Sequence, residues 1–128
     1  MDRKLKKYLS DILSSIFEIE SFMIERPREY ATFCNDTLFR RGVERNIEIM
    51  GEAMNRALKI NPKLPITSAR KIVDTRNFVI HAYDSLRPDI LWSIVINHLP
   101  LLKTEIETII TDMVPTESNG NRKSTEEC

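Results

Sequence analysis

Residues 76–83 read R-N-F-V-I-H-A-Y, and Arg76, His81 and Tyr83 are costly to place near the end of what otherwise reads as a core helix. Advancing about 100° per residue puts Arg76 and Tyr83 on the same face as Ala69, Ile72, Val73, Val79 and Ile80. A guanidinium cannot shed its charge, so Arg76 in that stripe must meet a carboxylate, a carbonyl, a phosphate or an opening to water. One solution is structural: a salt bridge to a neighbouring helix, with Tyr83 hydrogen-bonded and His81 at the surface. The other is a site. His81 falls roughly 140° around from Arg76, on the polar side with Arg70 and Asp74, where a single histidine is ordinarily exposed. On one straight helix the pair does not converge. It converges if the helix ends or distorts near His81, or if a second subunit contributes, as at a dimer interface.

The elements that must carry these residues can be placed by periodicity. Leu5, Leu9, Ile12, Ile16, Ile19 and Met23, widened by Leu13 and Phe17, repeat at helical spacing over residues 2–25, and Pro27 stops that helix. A short segment at 28–34 can add a helical turn. Asn35 or Asp36 then caps a long helix to about Ile60, with Phe39, Val43, Ile47, Met50, Met54 and Leu58 on one face. Its other face carries Arg41, Arg45, Glu48, Glu52, Arg56 and Lys59. Thr67 or Ser68 caps the helix that runs through the motif to about Tyr83. Pro88 suits the first turn of a last helix to about Met113, which Pro100 is expected to kink near Leu99. The expectation is an all-α, up-down bundle of four long helices with one possible short extra helix, spanning 1–114. The polar tail 115–128 has no apolar periodicity and is expected to be disordered.

Composition narrows the partners. The chain has 128 residues, enough for one domain, with 41% hydrophobic and 30% charged content. Nineteen basic and 19 acidic residues cancel, so nucleic-acid binding would need a local basic patch. Arg3, Lys4, Lys6 and Lys7 form one such cluster, although a cluster of this kind is more often a solvated helix start. Two cysteines, Cys34 and Cys128, make no disulfide framework, which fits a reducing cytosol. Asp11 interrupts the apolar run that a signal peptide needs, and no run of about 18 apolar residues suggests a membrane span. His98 and Cys34 stand alone, so no metal-ligand cluster is visible.

The arginine, four residues, histidine, one residue, tyrosine string resembles the signature of the HEPN superfamily, in particular its HepT-like toxin branch. The likeness extends to G-V-E-R-N-I-E-I-M-G-E-A-M-N-R-A-L, with Arg45, Gly51 and Glu52, and to I-L-W-S-I-V-I-N-H-L-P-L-L-K-T-E-I, with Trp92, Pro100 and Leu102. It covers roughly residues 1–113. Two departures stand out: Pro65-Ile66-Thr67 lacks the tryptophan that many relatives carry, and Asp74-Thr75 replaces a glycine followed by a methionine or leucine.

The resemblance implies a homodimeric, metal-independent endoribonuclease toxin that needs no cofactor. His81 is then the general acid/base, Arg76 the phosphate anchor and Asn77 a further phosphate donor or a helix-surface amide. Glu52 is the supporting carboxylate or simply half of an i,i+4 ladder with Arg56, and Gly51 beside it can allow close helix approach. The implied partner is a minimal nucleotidyltransferase antitoxin that transfers AMP to Tyr83, unless Tyr83 only packs. A second reading keeps the fold without the catalysis: a non-catalytic helical dimer that binds nucleotide or the nucleotidyltransferase. A third makes the motif merely structural.

Overall fold

The computed structural model describes residues 2–81 and 87–113, with residues 76–81 described as backbone only. Among the described residues, six α-helices and one π-helical turn succeed one another: α1 (Arg3–Phe22), α2 (Tyr30–Asn35), α3 (Thr37–Ile60), α4 (Ala69–His81), α5 (Pro88–Ser93), the π turn Ile94–His98, and α6 (Leu99–Met113). No strand occurs among the described residues. The last expected helix is thus one nearly continuous rod in three pieces, and the architecture is the expected all-α bundle. The expected tail at 115–128 lies outside the described residues.

Each start is built by the chemistry its sequence offers. Asp2 caps α1, its Oδ1 accepting from the backbone of Lys4 at 2.7 Å and Leu5 at 3.1 Å. Asp36 caps α3 through Phe39 N–H at 3.0 Å and takes the Arg26 guanidinium on its second oxygen at 3.1 Å. The Phe39 amide first, then Arg26, holds the Asp36 carboxyl below its ordinary range. Pro88 occupies the first turn of α5.

Two boundaries differ from the sequence expectation. α1 ends at Phe22, not at 25: Met23 and Ile24 donate back to Glu20 and Ser21 at i→i−3 spacing, and the Arg26 guanidinium takes the Phe22 carbonyl at 2.9 Å. The terminal carbonyls are therefore satisfied before Pro27 is reached. At Pro100 the helix widens, with Leu99 N–H reaching back to Ile94 O. A π turn here accommodates a ring that supplies no N–H to the ladder.

α3 is the shared surface. Its Phe39, Val43, Ile47, Met50 and Met54 are buried, with α1 packed on one flank and α4 on the other. Phe22 lies against Phe39 and Gly42, while Tyr8 lies beside Arg56. These two contacts make α1 and α3 antiparallel. At the α1–α2–α3 corner, Phe33 meets Phe39 edge-on and the Trp92 ring of α5 at a tilt, with centroids 5.1 Å and 5.0 Å away.

The beginning of α4 is fastened to the C-terminal rod. Thr67 donates through its N–H and its hydroxyl to the Glu105 carboxylate, the latter at 2.7 Å. Ser68 stands at the cap position, yet its hydroxyl meets His98 Nδ1 at 3.0 Å. Burial first, and the nearby Lys71 ammonium second, push the His98 imidazole below its usual value.

This packing has two measurable consequences. A Cβ added at Gly42 would approach Phe22 Cε2 to 2.8 Å, so Gly42→Ala will not deliver the roughly 1 kcal/mol that alanine gains over glycine within a helix. The gain should return in a Phe22→Ala background, and urea unfolding of the four-member cycle measures it. For His98, the folded state favours the neutral ring, so its contribution is complete above the unfolded value of 6.5 and is lost as pH falls through the lower folded value. The urea midpoint should fall between about pH 7.5 and 5.5, and His98→Gln should flatten that part of the profile.

Candidate functional site

The sequence motif lies on α4. Ile72, Val73 and Ala69 are buried as its apolar stripe requires, and Arg70 and Asp74 are exposed as its polar side requires. Arg76, Asn77 and His81 belong to the helical backbone of α4, and their side chains lie outside the described set. Tyr83 lies outside the described residues altogether. What the structure establishes for the motif is thus its carrier: a helix packed on α3 and pinned at its start by Glu105 and His98.

The two departures from the family pattern are absorbed locally. Ile66, within the stretch lacking tryptophan, is itself buried at 7% exposure. Thr75 is equally buried, and its hydroxyl donates to the Lys71 carbonyl at 2.9 Å. A buried polar group is thereby satisfied immediately before the motif arginine.

Glu52 sits on α3, half-buried, in a groove of about 420 Å³ between α1 and α3. Tyr8 and Asp11 form the α1 wall; Arg45, Glu48, Ile49, Ala53 and Arg56 continue the α3 wall. Glu52 Oε2 accepts from Arg56 Nη2 at 3.3 Å and from Nε at 3.4 Å. The ladder anticipated from their spacing is therefore formed. The Tyr8 hydroxyl first, and the Glu52 carboxylate second, raise the Arg56 guanidinium above its ordinary value. Sequence reasoning finds this pair but misses Tyr8. The signal is present: Tyr8 is one helical turn beyond Leu5 and Lys4, at the edge of the apolar stripe.

Toward the start of α1 the groove continues between Lys4, Tyr8, Asn55, Arg56 and Lys59. Gly51, expected beside Glu52, is buried. Cys34 is a free, half-buried thiol on α2. Among the described residues no three His, Cys, Asp or Glu side chains gather into a metal-binding group, and no helix is long and apolar enough to cross a membrane.

Comparison with known proteins adds the missing context. A family model described as ribonuclease HepT-like matches residues 12–109. A Methanocaldococcus jannaschii protein provisionally named an RNase is 32% identical over 108 residues, covering 84% of this chain and 97% of the relative. A second such protein from the same organism is 30% identical over 119 residues, covering 92% and 97%. A Thermococcus cleftensis protein provisionally named ribonuclease HepT is 33% identical over 113 residues, covering 85% and 98%. No solved structure matches the chain. The matched span takes in α3, the whole motif helix and most of the C-terminal rod, and it includes Arg76, Asn77, His81 and Tyr83. The chain belongs to the HepT-like ribonuclease family.

Proposed function

We propose that this protein is a metal-independent endoribonuclease, assembled as a homodimer that places two copies of the α4 motif across one site. The observation that carries the reading is the intact R-N-F-V-I-H-A-Y string on α4 within a ribonuclease family match that spans residues 12–109. A dimer also answers the geometric problem on α4. Arg76 and His81 diverge by roughly 140° on one straight helix, and a second copy supplies the partner groups that one helix cannot.

The reaction that these residues suit is internal transesterification. An imidazole takes the proton from a ribose 2′-hydroxyl as that oxygen attacks the adjacent phosphorus. The bond from phosphorus to the 5′-oxygen breaks, and an imidazolium returns a proton to the leaving oxygen. His81, from either copy, serves as this acid/base because its ring titrates near neutrality when unperturbed. Arg76 holds the non-bridging oxygens with a planar pair of N–H donors and offsets the charge that gathers on them. Asn77 donates a further hydrogen bond to phosphate. Glu52 takes a supporting role through the α3 groove, where it orders Arg56.

Regulation enters through Tyr83. A partner nucleotidyltransferase would direct the phenol oxygen onto the α-phosphorus of ATP, releasing pyrophosphate and leaving AMP on the tyrosine. An anionic nucleotide two residues from His81 would repel RNA phosphate and occlude the site. This makes the protein the toxin of a toxin–antitoxin pair, acting in the cytoplasm on cellular RNA.

Purified protein should cleave labelled tRNA or mRNA in EDTA and leave 2′,3′-cyclic phosphate ends. His81→Ala should lose at least about a hundredfold in rate while remaining a folded dimer by sedimentation. Products ending in 3′-hydroxyl, or equal cleavage by the variant, would remove His81 from the chemistry. Incubation with a cognate nucleotidyltransferase and ATP should add the mass of one adenylyl group, and Tyr83→Phe should abolish that increment in intact-mass spectra.

A further inference from the structure

We propose that the groove between the start of α1 and the end of α3 is a docking path for the phosphodiester backbone of single-stranded RNA, separate from the bond being cut. The inference rests on the ribonuclease reading for its choice of polyanion and on the groove itself for its position.

Lys4, Tyr8, Glu52, Asn55, Arg56 and Lys59 line this groove together. Lys4 and Lys59 are exposed, and neither has an ion-pair partner among the described residues. Arg56 is paired with Glu52 and shares the groove lining with Tyr8. Two unclaimed ammonium groups thus flank an oriented guanidinium, an amide and a half-buried aromatic ring. Single-stranded nucleic acid is held in this way: cations track the phosphates, and an aromatic face receives a base regardless of sequence. Farther along, Asp11 and Glu48 enter the lining, which confines the favourable stretch to a few nucleotides.

The basic side chains adjoin the groove at the start of α1. Asp2 caps that helix with its carboxylate, as the partial positive charge of a helix amino end favours. Arg3, Lys4, Lys6 and Lys7 follow within the first two turns, and of these Lys7 is paired with Asp11 at 2.6 Å. In the groove itself Lys4, Arg56 and Lys59 stand against the single carboxylate of Glu52. A local excess of this kind is what a chain with zero formal charge needs in order to hold a polyanion.

The test uses the full-length chain and a fluorescein-labelled 2′-O-methyl RNA oligonucleotide, which lacks the attacking hydroxyl and cannot be cleaved by this chemistry. Binding is followed by anisotropy across a salt series for wild type and for Lys4→Glu/Lys59→Glu. Affinity at about 0.1 M salt should fall at least tenfold, and the slope of log K against log salt should become shallower by about 1.4, the value for two lost single-strand phosphate contacts. Thermal stability should change little, because Glu at position 4 suits the start of α1 while Glu at position 59 opposes the dipole in the last turn of α3. Lys4→Gln/Lys59→Gln should weaken binding in the same direction by less. Unchanged affinity or slope in the reversed-charge variant, or no binding by wild type, overturns the proposal. Polyglutamate displacing the oligonucleotide as well as unlabelled RNA does so too, and points to an acidic protein instead. Absence of RNA cleavage by wild type counts against the nuclease reading alone, because this binding measurement involves no cleavage.

Discussion

The two-sided burial of α3 sets the position of nearly everything else. A 24-residue helix that sinks Phe39, Val43, Ile47, Met50 and Met54 into the core gains about 1.5–3 kcal/mol for each such side chain relative to exposure. That gain is available only if both flanks are covered at once. α1 covers one and α4 the other. Slippage of α1 by a turn would drive Phe22 away from the space over Gly42 and part Tyr8 from Arg56. The packing that stabilises the bundle therefore also fixes the groove on its surface and the axial height of the motif helix.

Position along α3 is not enough to hold a site, because a helix can still rotate or fray. The start of α4 is secured against the C-terminal rod by two side-chain pairs, Thr67 with Glu105 and Ser68 with His98. The second depends on the π turn, which carries His98 at its end. One extra residue in a turn rotates the downstream segment of a helix relative to the upstream one, so the π turn sets how the segment carrying Glu105 is turned relative to the one carrying His98. Local π turns of this kind recur at functional sites for the same reason.

Much of this is legible in the sequence, and the parts that are not share a cause. Helical spacing identifies most of the core of α1: Leu5, Leu9, Ile12, Ile16 and Ile19 are buried, whereas Leu13 and Met23 are half-buried and Phe17, expected to widen the stripe, is exposed. Asp36 and Pro88 announce the starts of α3 and α5 by cap and first-turn chemistry. The end of α1 comes earlier than its apolar spacing suggests because Arg26, four residues beyond it, closes the helix by reaching the Phe22 carbonyl. The bond that fastens His98 spans 30 residues, and Tyr8 meets Arg56 across two helices. Periodicity describes one helix at a time and is blind to such pairs. For the site, the motif string and its helical carrier can be read from sequence, while Glu52 is ambiguous between a ladder and a site.

Of those two options, the ladder is the one that the structure forms. Glu52 does pair with Arg56 along α3, as a surface ladder would. Yet the same Arg56 is flanked by Tyr8 from α1 and opens onto a groove with Lys4 and Lys59. An exposed i,i+4 pair of this kind contributes little to stability. What the carboxylate does supply is orientation: it turns a flexible guanidinium into one with a set direction, which lowers the ordering cost when an anion arrives. Charge neutrality of the whole chain is then no obstacle to an RNA-directed role. Affinity for a polyanion is decided over a Debye length of about 8–10 Å, and within the groove Lys4, Arg56 and Lys59 stand against one carboxylate, Glu52.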